Sequence, residues 1–422
     1  MKTKESNSFM GKPIIRINVV IKLMGCTCNL ECDYCSYVAK KNSSKDGCQK
    51  MSYETLEATI KEFINAQNSE KITFSWQCKE PDILGIDFFK KIIELQKKYT
   101  PGYSVCENLL QMNGTLIDEK WCKFLKENNF RVEIGIDGPS LLHNKYHKDN
   151  EGKGTFDEII KAIELLKKYK VQFNSRTCIN CDTTKYPLEV YRFLRDRISA
   201  DSIELIPIVE VKKLKNIFPL FWKEKDFIYY DSEESDPNNK NSILNHWSVK
   251  SEEYGDFLIA IFDEWYKEDL GKIFVPIFES AIRQWMGGDS SLCSLSLTCG
   301  KTISIEYNGD VHCCDQCINP EYKLGNIKVD SLINMVLSEK QHRFKNSKCA
   351  MLSKYCNECK WLRACNGGCL KNRILKIKDS DLGINYLCKG LKKYFEHIDP
   401  YISDIVEKMG REVDIINPNW KG

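Results

Sequence analysis

Three cysteines follow the first apolar strand pattern of the sequence, in GCTCNLECDYC, with three residues between Cys28 and Cys32 and two between Cys32 and Cys35. Three thiolates hold a [4Fe–4S] cluster while leaving one iron open to a further ligand, whereas a structural zinc normally takes four closed ligands. On a loop at the end of a strand, the triplet points to an open-site cluster. Cys26 falls outside the spacing and reads as packing. A second concentration comprises Cys293, Cys299, Cys314, Cys356, Cys359, Cys365, Cys369 and Cys388. Eight thiols make two complete metal sites. Iron–sulfur clusters and a pair of zinc ribbons both fit all-cysteine ligation, and the pairing among the eight does not follow from spacing. The remaining cysteines, Cys313, Cys317 and Cys349 among them, read mostly as small buried hydrophobes.

Twenty-one cysteines in 422 residues carry this meaning only in a reducing compartment, where thiols stay free for metal. The N-terminal stretch MKTKESNSFMGKP has no apolar signal region, and no apolar run of about 18 residues occurs, so the chain is expected in the cytoplasm with no membrane span. Lys and Arg total 62 against 59 Asp and Glu, and the resulting +3 gives no general attraction to nucleic acid or anionic lipid. At this length a main domain with an appended one is expected.

The elements that must position the first triplet are legible from periodicity. From about residue 14 to 210, period-two strands alternate with helices of period 3.6, the pattern of βα units on a parallel sheet. Ile15, Ile17 and Val19 mark one strand, followed by Ile72, Phe74 and Trp76, by Val132, Ile134 and Ile136, by Val171 and Phe173, and by Ile203, Leu205 and Pro207. Leu56, Ile60, Phe63 and Ile64 form one helical stripe, Phe89, Ile92 and Ile93 a second, and Phe156, Ile159, Ile160, Ile163 and Leu166 a third. Six or so such units suffice for a partial barrel, whose chemistry sits at the C-terminal ends of strands. Residues 225–250 read as an exposed loop, 253–286 as helical, and 293–388 as a region held by metal more than by burial.

The triplet after the first strand of a βα barrel resembles the signature of the radical S-adenosylmethionine (radical SAM) superfamily, and the downstream cysteine order resembles the SPASM extension of its peptide maturases. The fold this implies is α/β, a partial (β/α)6 TIM-type barrel followed by a cysteine-rich SPASM domain binding two iron–sulfur clusters. The barrel is expected over 1–220, a loop and helical connection over 221–285, the SPASM domain over 286–395 and a helical tail over 396–422. The resemblance implies three [4Fe–4S] clusters and SAM, with reduced flavodoxin or ferredoxin as electron donor. In that superfamily the methionine amine and carboxylate of SAM chelate the open iron, and reductive homolysis releases a 5′-deoxyadenosyl radical; the cofactor does the hard step. The family pattern assigns Cys293, Cys299, Cys314 and Cys369 to one auxiliary cluster, and Cys356, Cys359, Cys365 and Cys388 to the other.

Over nearly the whole chain the sequence is most similar to the anaerobic sulfatase-maturing enzymes, through QMNGTLID at 111–118, IDGP at 136–139, GTFDEI at 154–159, GKIFVPIFESA at 271–281 and CNGGCLKNR at 365–373. Those enzymes oxidise the β-carbon of a cysteine or serine in a sulfatase to Cα-formylglycine. A radical takes a β-hydrogen, a base takes the heteroatom proton, and an auxiliary cluster removes the second electron. The implied base is Asp315 in CCDQC, where a loop aspartate otherwise caps a turn. The implied SAM contacts are Tyr34, Gln77, Cys78, Glu80, Asn113, Gly135, Arg176 and Leu205. Without the resemblance, an Asn before Gly forms a turn, and Arg176 pairs with a surface carboxylate.

Several positions depart from the family pattern. Cys78-Lys79-Glu80-Pro81 stands where Gly-Gly-Glu-Pro is usual, Gly135 where serine is, His147 where arginine is, and Cys317 where an aromatic is. The changes gather around SAM and substrate rather than in the scaffold. Three readings stand side by side: oxidation of a Cys or Ser side chain in a sulfatase polypeptide; maturation of a ribosomal precursor peptide by thioether or carbon–carbon crosslinking, for which Cys78 and Cys317 would supply thiols; and a cluster-bearing protein without productive SAM turnover.

Overall fold

The computed structural model describes residues 8–9, 12–13, 16–25, 28–35, 49–212, 226–378 and 382–412; Ile15, Cys26 and Cys48 lie outside them. In chain order the strands are β1 (Ser8–Phe9), β2 (Lys12–Pro13), β3 (Asn18–Lys22), β4 (Lys71–Gln77), β5 (Val105–Met112), β6 (Phe130–Gly135), β7 (Phe173–Ile179), β8 (Ile203–Pro207), β9 (Ile228–Tyr229), β10 (Thr302–Ile305), β11 (Asp310–His312), β12 (Lys323–Asn326) and β13 (Leu375–Lys376). The longer helices are α1 (Tyr53–Asn65), α2 (Ile86–Tyr99), α3 (Glu119–Glu127), α4 (Phe156–Lys168), α5 (Ser251–Glu264), α6 (Pro276–Trp285), α7 (Glu339–Ala350) and α8 (Cys388–Glu412). Two compact units result, one of residues 1–134, 147–173 and 300–345, the other of 135–146, 174–299 and 346–422.

In the first unit β3, β4, β5 and β6 lie parallel and adjacent in that order, with α1, α2 and α3 in the crossovers. The inward residues of β4, Ile72, Phe74 and Trp76, are at most 2% exposed and meet Phe63 of α1, whose ring centroid lies 4.8 Å from that of Phe74. Helix α1 starts where the Ser52 hydroxyl accepts the Thr55 N–H at 3.1 Å, and α3 where Asp118 Oδ1 accepts the Trp121 N–H at 2.8 Å; each cap satisfies a donor that has no intrahelical partner. Strand β5 is the one that hydrophobic periodicity does not single out. Its inward side includes Asn108, which accepts from Trp76 Nε1 at 2.7 Å and donates to Gln96 Oε1 at 3.0 Å, so a polar network occupies a place where an apolar residue would announce a strand.

Strand β10 joins the free side of β3 in parallel, and β11 and β12 follow antiparallel. Residues 300–345, expected with the appended domain from 286 onward, therefore belong to the first unit. The cause is backbone pairing: Thr302–Ile305 lies in register with Asn18–Ile21.

In the second unit β7 and β8 pair in parallel and β9 pairs with β13. Its core contains Tyr254, Phe257, Phe262, Trp265, Phe278 and Tyr394, all fully buried. Helices α5 and α8 approach so closely that a Cβ on Gly255 would sit 2.6 Å from the Gly390 carbonyl oxygen, which requires glycine there. Helix α8 runs from Cys388 to Glu412, so the expected tail from 396 continues a helix that begins on a candidate cluster ligand. Among the described residues, no helix is long and apolar enough to cross a membrane.

Candidate functional site

Parallel strands bring their C-terminal ends to one edge, and three adjacent ends in the first unit carry candidate residues. The chain leaves β3 through Leu23, Met24 and Gly25 and reaches Cys28, Cys32 and Cys35, all half-buried. After β5, Asn113 Nδ2 donates to Asn29 Oδ1 at 2.9 Å and lies 3.8 Å from Cys28 Sγ. Its Oδ1 accepts the Thr115 N–H and hydroxyl, each at 3.0 Å, and the Thr115 hydroxyl also accepts from Asn29 Nδ2 at 2.7 Å. The NGT turn thus fastens the cysteine loop to the end of β5. Burial pushes the Cys28 thiol up, and the Leu30 N–H and the Lys79 ammonium pull it back.

Glu80, just beyond β4, is wholly buried. Its Oε2 accepts the Leu116 N–H at 3.3 Å and the Thr115 hydroxyl at 3.4 Å, while Oε1 is buried with no hydrogen-bond partner. Burial raises this carboxyl to about 7, against the pull of the Leu116 and Asp82 N–H groups and the Thr115 hydroxyl. A buried acceptor left open calls for a donor from a ligand. An open-site triplet beside an unpartnered carboxylate on neighbouring strand ends fits the amine-bearing end of SAM.

The other residues of this edge divide in role. Gln77 Nε2 donates to Gln111 Oε1 at 2.9 Å, a bond between the ends of β4 and β5. Cys78 is 1% exposed, its thiol lies 3.6 Å from Met24 Sδ, and burial holds it far above the ordinary thiol range. Its thiol is buried, and so is that of Cys317, also 1% exposed. Neither thiol is open to substrate, which removes the support they lent to crosslinking. His147, legible in sequence only as a departure, has Nδ1 3.4 Å from Cys32 Sγ and Nε2 2.8 Å from the Tyr34 hydroxyl. One imidazole therefore contacts both a candidate ligand and the candidate adenine-side aromatic.

Asp315 follows β11 in the same unit and is half-buried. Its Oδ1 accepts the Cys314 thiol at 3.5 Å and its Oδ2 accepts from Gln316 Nε2 at 2.8 Å. Lys22, the last residue of β3 and 3% exposed, pairs with Glu306 at 2.9 Å and reaches the Asp315 carbonyl oxygen at 3.4 Å. A buried ion pair thus anchors the corner that presents the candidate base. Its only trace in the sequence is a lysine closing an apolar strand.

The remaining candidates lie in the second unit. A Cβ on Gly135 would meet nothing within 4 Å, so the hydroxymethyl of the usual serine has room. Arg176 Nε lies 2.9 Å from Glu204 Oε2, the carboxylate pairing that was the alternative to a SAM contact, and Leu205 is 6% exposed. Cys356, Cys359, Cys365 and Cys388 line one cavity with Tyr355, Trp361 and Phe395. Burial pushes Cys365 up to about 11 and Cys388 up to about 12, with the neighbouring thiols adding to it. Cys293, Cys299 and Cys369 act electrostatically on the Lys348 ammonium, which donates to the Cys293 carbonyl at 3.1 Å; Cys314, the fourth of that expected set, belongs to the first unit. Among the described residues, no three His, Cys, Asp or Glu side chains close around a single ion.

Residues 23–194 match the radical SAM superfamily, and residues 297–360 match the SPASM iron–sulfur cluster-binding domain. The chain is 40% identical to the serine-type anaerobic sulfatase-maturating enzyme of Bacteroides thetaiotaomicron, over 92% of this chain and 91% of that one. It is 32% identical to the cysteine-type enzyme of Clostridium perfringens strain 13, over 93% and 99%. The solved structure of native anSMEcpe with bound AdoMet and Cp18Cys peptide superposes with a TM-score of 0.77 at 31% identity, covering 93% of this chain and 100% of that one.

Proposed function

Because this chain belongs to the anaerobic sulfatase-maturating enzymes of the radical SAM superfamily, we propose that it oxidises the β-carbon of a Cys or Ser side chain in a polypeptide, converting the residue to Cα-formylglycine. The observation that carries the reading is the edge of the first unit, where the triplet loop is tied to Asn113 and stands with Glu80, whose Oε1 has no protein partner. Bound at Cys28, Cys32 and Cys35, a [4Fe–4S] cluster with SAM supplies the radical that takes the β-hydrogen. Glu80 receives the SAM amine, and Tyr34 flanks its adenine. Asn113 holds the cysteine loop against β5, and Asp315 takes the proton of the substrate hydroxyl or thiol, which leaves the aldehyde directly from Ser and, from Cys, a thioaldehyde that water hydrolyses with release of hydrogen sulfide. The eight downstream cysteines hold the two auxiliary clusters that accept the second electron.

The priming electron comes from a small one-electron donor of the flavodoxin or ferredoxin class, and the thiolate ligation of iron sets the enzyme in a reducing compartment, the cytoplasm. Anaerobic reconstitution followed by incubation with SAM, reductant and sulfatase-derived peptides containing Cys or Ser tests the reading. Formation of 5′-deoxyadenosine together with a peptide aldehyde is expected. SAM cleavage without aldehyde from either peptide, or a crosslinked product, would refute it.

A further inference from the structure

Lys348 on α7 and Arg373 after the CNGGC segment are 0% and 3% exposed, yet among the described residues no carboxylate lies within ion-pair distance of either. Their donors go to backbone instead. Lys348 Nζ donates to the carbonyls of Cys293 at 3.1 Å, Ser294 at 2.8 Å and Ser296 at 2.5 Å. Three carbonyl oxygens around one nitrogen demand three N–H donors, which an ammonium has and a neutral amine lacks. Arg373 donates through Nε to Gly367, through Nη1 to Lys348 and Met351, and through Nη2 to Asn366, all carbonyls at 2.9 to 3.0 Å. Gly367 has a φ of +70°, and a Cβ there would lie 2.5 Å from the guanidinium, so the turn is shaped around the arginine.

Two buried cations without counter-ions are unfavourable unless anionic groups stand nearby. The ionisable groups that act electrostatically on them are thiols, which become anionic on ligating a metal: Cys299, Cys369 and Cys293 on Lys348, and Cys356, Cys299, Cys365 and Cys369 on Arg373. Lys348 is thus held on the backbone of the Cys293 turn and coupled to one candidate cluster set, and Arg373 is held on the backbone beside Cys365 and Cys369 and coupled to members of both. An all-thiolate cluster is anionic and becomes more so on reduction, so a fixed neighbouring cation favours its reduced state.

Resting on the reading of these thiols as cluster ligands, we propose that Lys348 and Arg373 are positioning residues of the auxiliary sites, whose fixed positive charge raises the reduction potentials of both auxiliary clusters and fits them to accept the substrate electron. Lys348 acts on the cluster of Cys293, Cys299 and Cys369, and Arg373 acts on both.

The test is an EPR-monitored redox titration of reconstituted protein in which Cys28, Cys32 and Cys35 are Ala, so that only auxiliary signals remain. Absence of those signals before any further change would defeat the ligand reading itself, not the charge effect. With the signals present, Arg373→Gln is expected to shift the reduction equilibrium of both clusters at least tenfold toward the oxidised form, about 59 mV for a one-electron couple. Lys348→Met is expected to shift one cluster, and the charge-keeping Arg373→Lys and Lys348→Arg to stay within a few-fold of the parent. Parent potentials in both neutral variants at full iron content overturn the proposal. If the neutral variants lose their clusters, retention of clusters and potential in the charge-keeping variants supports it, and loss in all four shows a purely mechanical clamp and overturns it.

Discussion

Glu80 offers a test of the SAM site that does not depend on turnover. Its carboxyl is raised from 4.5 to about 7 by burial, with Oε1 unpartnered, so it is about half protonated at pH 7 and about nine-tenths protonated at pH 6. The amine of SAM brings only N–H donors toward it, and binding therefore selects the ionised form and expels the proton. Compared with Glu80→Gln, the parent enzyme should release about half a proton more per SAM at pH 7, nearly one more at pH 6 and almost none more at pH 9. Subtracting the variant removes any proton contributed by the SAM amine itself. Losing a charge-assisted hydrogen bond of about 1.5 to 3 kcal/mol should weaken SAM binding by about ten- to a hundredfold at pH 8, and the difference should close toward pH 5. Folding responds with the same group. From about pH 4.5 to about 7 the native state keeps a proton that the unfolded chain gives up, so stability falls as pH rises through that window, by roughly 3 kcal/mol in total, and Glu80→Gln should remove the fall. Anaerobic titration calorimetry in two buffers of different ionisation enthalpy measures the protons. Equal release by parent and variant at pH 6 and 7 would show that Glu80 does not meet the ligand.

Replacing Cys28, Cys32 and Cys35 together by Ala should reduce reconstituted iron from about twelve to about eight per chain and abolish SAM cleavage; loss of all iron, or zinc at the downstream thiols, contradicts separate ligand sets. Asp315→Asn should retain SAM cleavage and transfer of deuterium from a β-deuterated peptide to 5′-deoxyadenosine, yet lose about a hundredfold to ten-thousandfold in aldehyde formation, and product at the parent rate removes the base role. Cys78→Ala should cost about 1 kcal/mol of stability through lost packing and leave SAM affinity within about twofold. A larger change in affinity, measured by the same calorimetry, would place the thiol at the cofactor after all.

What the sequence made legible was local. The triplet, the alternation of Ile72, Phe74 and Trp76, and the stripe of Leu56, Ile60 and Phe63 each depend on near neighbours in the chain, and each reappears in β3 with its loop, β4 and α1. Strand β5 was hidden because its inward Asn108 is satisfied by Trp76 and Gln96, 32 and 12 residues away. The placement of 300–345 was hidden because the pairing of β10 with β3 joins residues nearly three hundred positions apart, while the nearby cysteines drew the eye to metal. His147 shows the same limit at the site. Its ring bridges Cys32 and Tyr34 across more than a hundred residues, and no spacing rule links them.

The side chains that complete the clusters' surroundings were the hardest to see for a more general reason. A lysine or arginine in a sequence defaults to solvent, and Lys22, Lys348 and Arg373 are three of 62 such residues. Each is nonetheless buried at the edge of a thiol- or carboxylate-bearing loop, and each spends its donors on backbone carbonyls of that loop, with Lys22 adding an ion pair to Glu306. Carbonyls in turns and at helix ends have no partner within a helix or sheet, so they must find donors elsewhere. Long cationic side chains supply several donors from one Cα, and in the proposal above Lys348 and Arg373 also bring positive charge to anionic clusters. The cations that tie down these loops are thus visible only once the chain is folded, because they carry no spacing of their own.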